Sequence, residues 1–411
     1  MSSKNDEIRM TNDEGSPNAQ MTKKGLERAH SHSDFVIPSG FVIRHSSNLI
    51  AADAQLAELL EKIEPAGRVA IDTEADSLHS YREKLCLLQI SVPAGVTDLG
   101  NSDAVRDYLV DPLADVDLAP LRRRLEAREI VLHSADYDLR MLRRGLNFVA
   151  HRIFDTVIAA RLLGIREFSL AALLKRYFGL ELPKGSQKAN WAQRPLSRRM
   201  AEYAINDVHY LLPLAEKLEA ELDRLQRRDW LRQSCQRAIE QAATARVRDQ
   251  DELWRIRGAG SIRGRAAAVL RALWQWRERE AEMVDRPPFH ILQNEDLLNA
   301  AVSFASGRVP HYKHFSSRRR QAFCEAAQSA LELPESEWPV SLRRVGTRPN
   351  AETMLRAEEL WRRRDKSAEE LGLEPSFIAP RSTLEAIAAE RARAAALLVS
   401  WQRELLGLRQ S

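Results

Sequence analysis

The chain has 411 residues, 44% hydrophobic and 29% charged, with a formal net charge of +4 and a sequence pI near 9.0. This places it among soluble globular proteins with room for two to three ordinary domains, and the mild basicity permits an anionic partner without requiring one. Cys86, Cys235 and Cys324 are too few and too widely spaced for a disulfide framework or a cysteine metal site, so a reducing, cytoplasmic location is expected.

No apolar segment of signal-peptide length opens the chain and none is long enough to span a bilayer, so no membrane partner is expected. Residues 1–34 are polar, lack apolar periodicity and read as a disordered tail. His30 and His32 within it read as solvated side chains. Residues 51–63 form an amphipathic helix with Leu56, Leu59, Leu60 and Ile63 on one side. A strand over 69–72 then delivers Asp72 and Glu74, which alternation places on one face. Two like charges side by side need a proton or a cation, so the pair is either the edge of a site or a solvated strand end.

The apolar run 85–90 suits a central strand buried on both faces, joined to the first by a hairpin. A third strand is expected at 108–110, a helix at 119–127 and a fourth strand at 129–133. Helices follow at 136–144, 155–163, 169–178 and 197–225. Strands first and helices after predict one mixed α/β domain over 35–225. Residues 226–260 read as a connecting helix and hinge. The glycines Gly258, Gly260 and Gly264 imitate a dinucleotide loop, but the spacing is wrong and no strand precedes them. A strong amphipathic helix over 266–283 opens an all-α block at 261–335, and a last helical block covers 345–411. Arginine groups at 122–124, 198–199, 318–320 and 362–364 read mostly as solvated helix faces, each a candidate for phosphate contact.

Two further acids complete the opening pair. Asp138 follows the strand-to-helix handover at His133, and Asp207 lies four residues after Tyr203, so that a phenol and a carboxylate share one helix face. Four carboxylates from three segments can cage hard divalent metal, Mg²⁺ or Mn²⁺ in preference to zinc, and two such ions support in-line phosphoryl displacement. A tyrosine beside them, such as Tyr203, can orient an attacking water.

Asp72-Thr73-Glu74, the segment from His133 to Leu139, and Tyr203 with Asp207 resemble, in order and spacing, the three motifs of the DEDD exonucleases in their tyrosine-bearing subclass. The strand from Leu85 to Ile90, Phe154-Asp155-Thr156, Trp191 with Arg194-Pro195-Leu196-Ser197, and the run from Tyr203 to Leu212 are similar to the ribonuclease D family. The resemblance implies a ribonuclease H-like α/β domain with a mixed sheet, with Asp72, Glu74, Asp138 and Asp207 as metal ligands and Tyr203 as the catalytic tyrosine. It implies two divalent ions, removal of nucleotides from an RNA 3′ end, release of 5′-monophosphates, and tRNA precursors or other small structured RNAs as substrates. Asp155 reads as a support for the fold or the acids, and Asp136 as a helix-start residue.

His133, Trp191 and Arg194 are candidate substrate contacts. The competing readings are a histidine satisfied by backbone and a tryptophan packed beneath its loop. Ala189-Asn190 stands where relatives often carry a hydroxyl residue and an acid, and the segment from Val92 to Tyr108 is longer than usual in the family. Residues 267–292 resemble the helicase and ribonuclease D C-terminal (HRDC) domain, a small helical bundle that often holds nucleic acid, with Trp274 and Trp276 read in part as core. The last block resembles a divergent second copy. A monomer is expected. The competing activities are a 3′-5′ exonuclease acting on DNA and a non-catalytic RNA-binding scaffold.

Overall fold

The apolar run at Leu85 becomes the centre of a sheet. In the computed structural model, which describes residues 49–95, 104–183, 185–244, 252–340 and 350–408, six strands form: β1 (Leu49–Ile50), β2 (Arg68–Ala75), β3 (Leu85–Pro93), β4 (Val105–Val110), β5 (Glu129–Leu132) and β6 (Arg152–Asp155). Their order is β1-β4-β3-β2-β5-β6. The β2-β3 and β3-β4 pairs are antiparallel, and β1-β4, β2-β5 and β5-β6 are parallel. Every residue of β3 from Leu85 to Val92 is buried, as a strand covered on both faces requires. The tail reading for residues 1–34 lies outside the described residues, all of which fall within one unit, Arg44–Ser411.

Two of the six strands escape a reading by periodicity. Strand β1 has two residues, and β6 has four that run into a helix start, so neither shows a measurable alternation. The expected third strand extends back to Val105. Asp155 ends β6 and caps the next helix rather than opening it, because its carboxylate accepts from the backbone N–H groups of Val157 and Ile158.

Around the sheet lie α1 (Asp53–Ile63), α2 (Ala119–Glu126), α3 (Asp136–Leu146), α4 (Thr156–Leu162), α5 (Leu170–Phe178), α6 (Arg198–His209), α7 (Leu211–Arg224) and α8 (Arg228–Ala243). The single helix expected over 197–225 is therefore two. Pro213 lacks the N–H that would bond the His209 carbonyl, so the ladder breaks there. The domain boundary at 225 also moves. Helix α8 packs on α3, α4 and β6, and Leu231, Cys235 and Ala242 join the sheet's own core.

The next block holds α9 (Gly264–Met283), α10 (Pro288–Ile291), α11 (Asn294–Ala305) and α12 (Ser317–Leu331), with its own core around Leu270, Leu273, Trp276, Leu297 and Phe323. Trp276 is core, packed against Phe315 and Phe323. Arg318 and Arg319 of the 318–320 group both donate to the buried carboxylate of Glu280, so they serve the bundle. The loop between β2 and β3 reaches this block. The Tyr81 backbone N–H donates to Asp285 at 3.1 Å, and Arg82 pairs with Glu282 at 2.6 Å.

The final block comprises α13 (Ala351–Leu371), α14 (Pro375–Ile378), α15 (Arg381–Ala389), α16 (Ala394–Leu397) and α17 (Ser400–Leu405). Ala368, Leu373, Ile378 and Trp401 of this block enter the core of the sheet domain. Trp401 stacks on Trp230 of α8 with ring centroids 4.8 Å apart and 12° between planes. No helix among the described residues is long and apolar enough to cross a membrane.

Candidate active site

Alternation along β2 puts Asp72 and Glu74 on one face, opposite Gln89 and Leu87 of β3 in register. Helix α6 packs across β2, β3 and β4 on that face. Ser197 caps it by accepting from the Met200 N–H, and two turns further on Asp207 comes down onto the strand pair. Carboxylate oxygens of Asp72, Glu74 and Asp207 lie within 4.8 Å of one another.

Asp138 arrives from another direction. Strand β5 ends at Leu132, and the turn into α3 passes through Ser134 with φ of 67°. That turn is held by Asp155, whose carboxylate accepts from the N–H groups of Ser134 (3.2 Å) and Ala135 (2.8 Å) as well as capping α4. Asp155 is therefore a brace for the acid-bearing turn. Asp138 is buried in the first turn of α3 and accepts a 2.5 Å hydrogen bond from the Thr73 hydroxyl. It stands beside the close trio and acts on it through charge: it raises both Asp72 and Glu74. Asp136, by contrast, is exposed and pairs with Arg140.

The electrostatics are those of crowded acids without a counter-charge. Burial, followed by repulsion from Asp138, Asp207 and Glu74, holds Asp72 well above the usual carboxylate range. Burial and the charges of Asp207 and Asp138 push Glu74 up to about 9. Burial raises Asp138 to about 6 against the opposing Thr73 hydrogen bond, and raises Asp207 to about 6 against a hydrogen bond from Tyr203. The Tyr203 phenol is raised by burial and by Asp207 and Glu74, so it stays protonated and donates. Such a cluster accepts a divalent cation readily, since the ion removes the repulsion that keeps protons on these groups. Its donors are all carboxylate oxygens, which fits a hard ion.

The three candidate substrate contacts have structural occupations. Arg194 makes two 2.6 Å bonds to the Asp111 carboxylate and also donates to the carbonyls of Cys86, Trp191 and Gln193. Its planar fork is used up inside the protein, which corrects the phosphate-contact reading. Trp191 is 1% exposed, with its ring 6.1 Å from that of Tyr203. It packs beneath its loop and offers no face to a base. His133 bonds the Thr156 hydroxyl through Nδ1 at 2.7 Å, while Thr156 donates to the Leu132 carbonyl. The Thr156 proton being committed, Nδ1 carries the ring proton. Burial pushes this imidazole's pKa down.

Thr73 and Gln89 went unnoticed in the sequence. Thr73 is the middle residue of the acid motif, and alternation alone points it away from its neighbours. Gln89 is a polar residue in an otherwise apolar strand, 0% exposed, which is a legible signal in itself.

Residues 48–223 match the family model described as 3′-5′ exonuclease, and residues 266–304 match that of the HRDC domain. The ribonuclease D of Pseudomonas paraeruginosa is 28% identical over 357 residues, covering 84% of this chain and 90% of its own length. That of Sphingobium indicum is 33% identical over 258 residues, covering 62% of this chain and 63% of its own. The crystal structure of Escherichia coli RNase D, an exoribonuclease involved in structured RNA processing, superposes with a TM-score of 0.63 over 87% of this chain and 96% of that one. At 23% identity that likeness speaks for the fold.

Proposed function

We infer that this chain, a member of the ribonuclease D family of 3′-5′ exonucleases, hydrolyses RNA from its 3′ end and releases 5′-nucleoside monophosphates. The observation that carries the site is the convergence of Asp72, Glu74 and Asp207 within 4.8 Å, from a strand and a helix far apart in the chain. In this reading Asp72, Glu74, Asp138 and Asp207 hold two divalent ions, Mg²⁺ or Mn²⁺. Bound there, the ions supply activation of water and stabilisation of the leaving oxygen. Tyr203, kept protonated beside Asp207, presents a neutral phenol that orients the attacking water.

The helical blocks give the enzyme its reach toward folded RNA. The final block repeats the order of the HRDC block: a long helix (α13, as α9), a one-turn helix opened by proline (α14, as α10), then a shorter helix (α15, as α11). This supports a divergent second HRDC module. Precursor tRNAs and small structured RNAs are the substrate class we assign, with cytoplasmic action consistent with three free cysteines.

The test uses RNA labelled at the 3′ or 5′ end, with Mg²⁺ or with chelator, beside a DNA strand of matched sequence. Immediate release of the 3′ label as mononucleotide, a shortening ladder from the 5′ label and loss of both with chelator are expected, with DNA the poorer substrate. Internal fragments, or hydrolysis indifferent to chelator, would remove the assignment, and DNA degraded faster than RNA would shift it to deoxyribonucleic acid.

A further inference from the structure

The residues between α5 and α6 include a segment that touches the catalytic tyrosine more closely than any acid motif foretells. A Cβ built on Gly185 would lie 1.7 Å from Cδ2 of Tyr203, 2.2 Å from Cε2 and 2.8 Å from Cγ. No side chain fits there, so the Gly185 backbone lies directly against the ring. The close approach of the ring is reason enough for glycine at this position. The buried Trp191 approaches the same ring at 6.1 Å between centroids, tilted by 40°. The Gln187 side chain lies near enough to the phenol to lower its pKa, and Asp207 near enough to raise it.

The segment is itself fastened. His79 of the β2-β3 loop bonds the Lys188 carbonyl at 3.1 Å, the Asn190 side chain accepts from the Ala192 N–H, and Arg194 grips the Trp191 carbonyl at 2.8 Å while paired with Asp111. A line of contacts thus runs from the end of β4 through Arg194 and Trp191 to Tyr203.

We propose that Gly185 and Gln187 are positioning residues that form a fitted seat for Tyr203, fixing its phenol oxygen relative to Asp207 for the hydrolytic step. The seat rests on the exonuclease reading above. Displacing the ring by even a methyl group moves the hydroxyl away from the water it orients, while the carboxylates on β2 and α3 stay where they are.

The test is steady-state hydrolysis of a 5′-labelled single-stranded RNA by the full chain, with Mn²⁺ affinity measured by calorimetry. Gly185→Ala is expected to lower kcat by about 10²-fold, the scale of a misplacement of about 1 Å, with KM and Mn²⁺ affinity unchanged. In a Tyr203→Phe background the same substitution is expected to add almost nothing, because the hydroxyl it displaces is already gone. Gln187→Met, which keeps the length and loses the amide, is expected to lower kcat by a smaller factor that also vanishes in the Tyr203→Phe background. It carries the test if Gly185→Ala fails to fold. An unchanged kcat in both single variants, or losses that multiply undiminished with Tyr203→Phe, overturns the seat while leaving the exonuclease standing. A wild-type chain without metal-dependent release of 3′ nucleotides overturns both.

Discussion

Thr73 donates its hydroxyl to Asp138 at 2.5 Å, and this bond ties the strand that carries Asp72 and Glu74 to the helix that carries the remaining buried acid. It also offsets part of the burial that pushes Asp138 up to about 6. Thr73→Val keeps the shape and deletes the donor. It should raise the Asp138 pKa, shift the Mg²⁺ concentration for half-maximal rate upward by roughly 10-fold, the lower end of losses seen when a ligand's hydrogen-bond partner is removed, and leave KM for RNA little changed. Thr73→Ser should retain near-normal metal dependence. Metal titrations of initial rate on the three proteins decide this, and an unchanged titration for Thr73→Val would make the bond irrelevant to the site.

The crowded acids predict an inverted pH dependence for the metal-free protein. Glu74 at about 9 and Asp138 and Asp207 at about 6 stand above their ordinary values of 4.5 and 3.8. The folded state therefore binds more protons than the unfolded one in that interval, and stability falls as pH rises from about 4 toward 9. Excess Mg²⁺ should suppress the fall by supplying the missing positive charge. Asp72→Asn should raise the metal-free Tm at pH 8 while sharply lowering hydrolysis, since the proposed metal cage loses a carboxylate. Thermal scans across pH with chelator and with Mg²⁺ read this directly, and a metal-free Tm that climbs between pH 5 and 8 would contradict it.

Arg194 and Asp111 should behave as parts of the scaffold. Burial would raise the Asp111 carboxyl, yet the hydrogen bonds and charge of Arg194, together with the backbone N–H groups of Leu113 and Ala114, outweigh it and hold the pKa below its usual value. Their contribution is thus present above the ordinary carboxylate range and lost as pH falls through the lowered pKa. Arg194→Ala leaves Asp111 buried without its partner and should cost about 3 kcal/mol of stability. The salt dependence of RNA binding should not change, because no phosphate contact is lost. A lower salt slope in filter binding, with Tm intact, would restore Arg194 to the substrate.

The last helices should prove inseparable from the sheet domain. Trp401 is 1% exposed, stacks on Trp230 and donates its indole N–H to the Ser234 hydroxyl at 3.1 Å. Trp401→Ala should destabilise the protein by about 3–5 kcal/mol. A chain cut after Leu225 removes α8 as well and should be recovered insoluble or molten. A folded, active fragment ending there would show that α8 and Trp401 are dispensable cover.

Much of this protein is written locally. Two acids two residues apart on a strand must share a face, and a tyrosine four residues before an aspartate on a helix must stand above it, whatever the rest of the chain does. The apolar run from Leu85 could only be an interior strand, and Pro213 alone was enough to divide the helix that periodicity ran together. What tertiary structure decided was partnership. An arginine before a proline reads equally well as a phosphate ligand or a clamp until Asp111, just past the end of β4 far upstream, is seen to fill its fork. Trp191 reads as a stacking platform until its ring is found buried beside Tyr203. Periodicity reports which way a side chain points from its own element, whereas a hydrogen bond such as Thr73 to Asp138, or the contact of Gly185 with a ring, depends on which distant segment arrives opposite it.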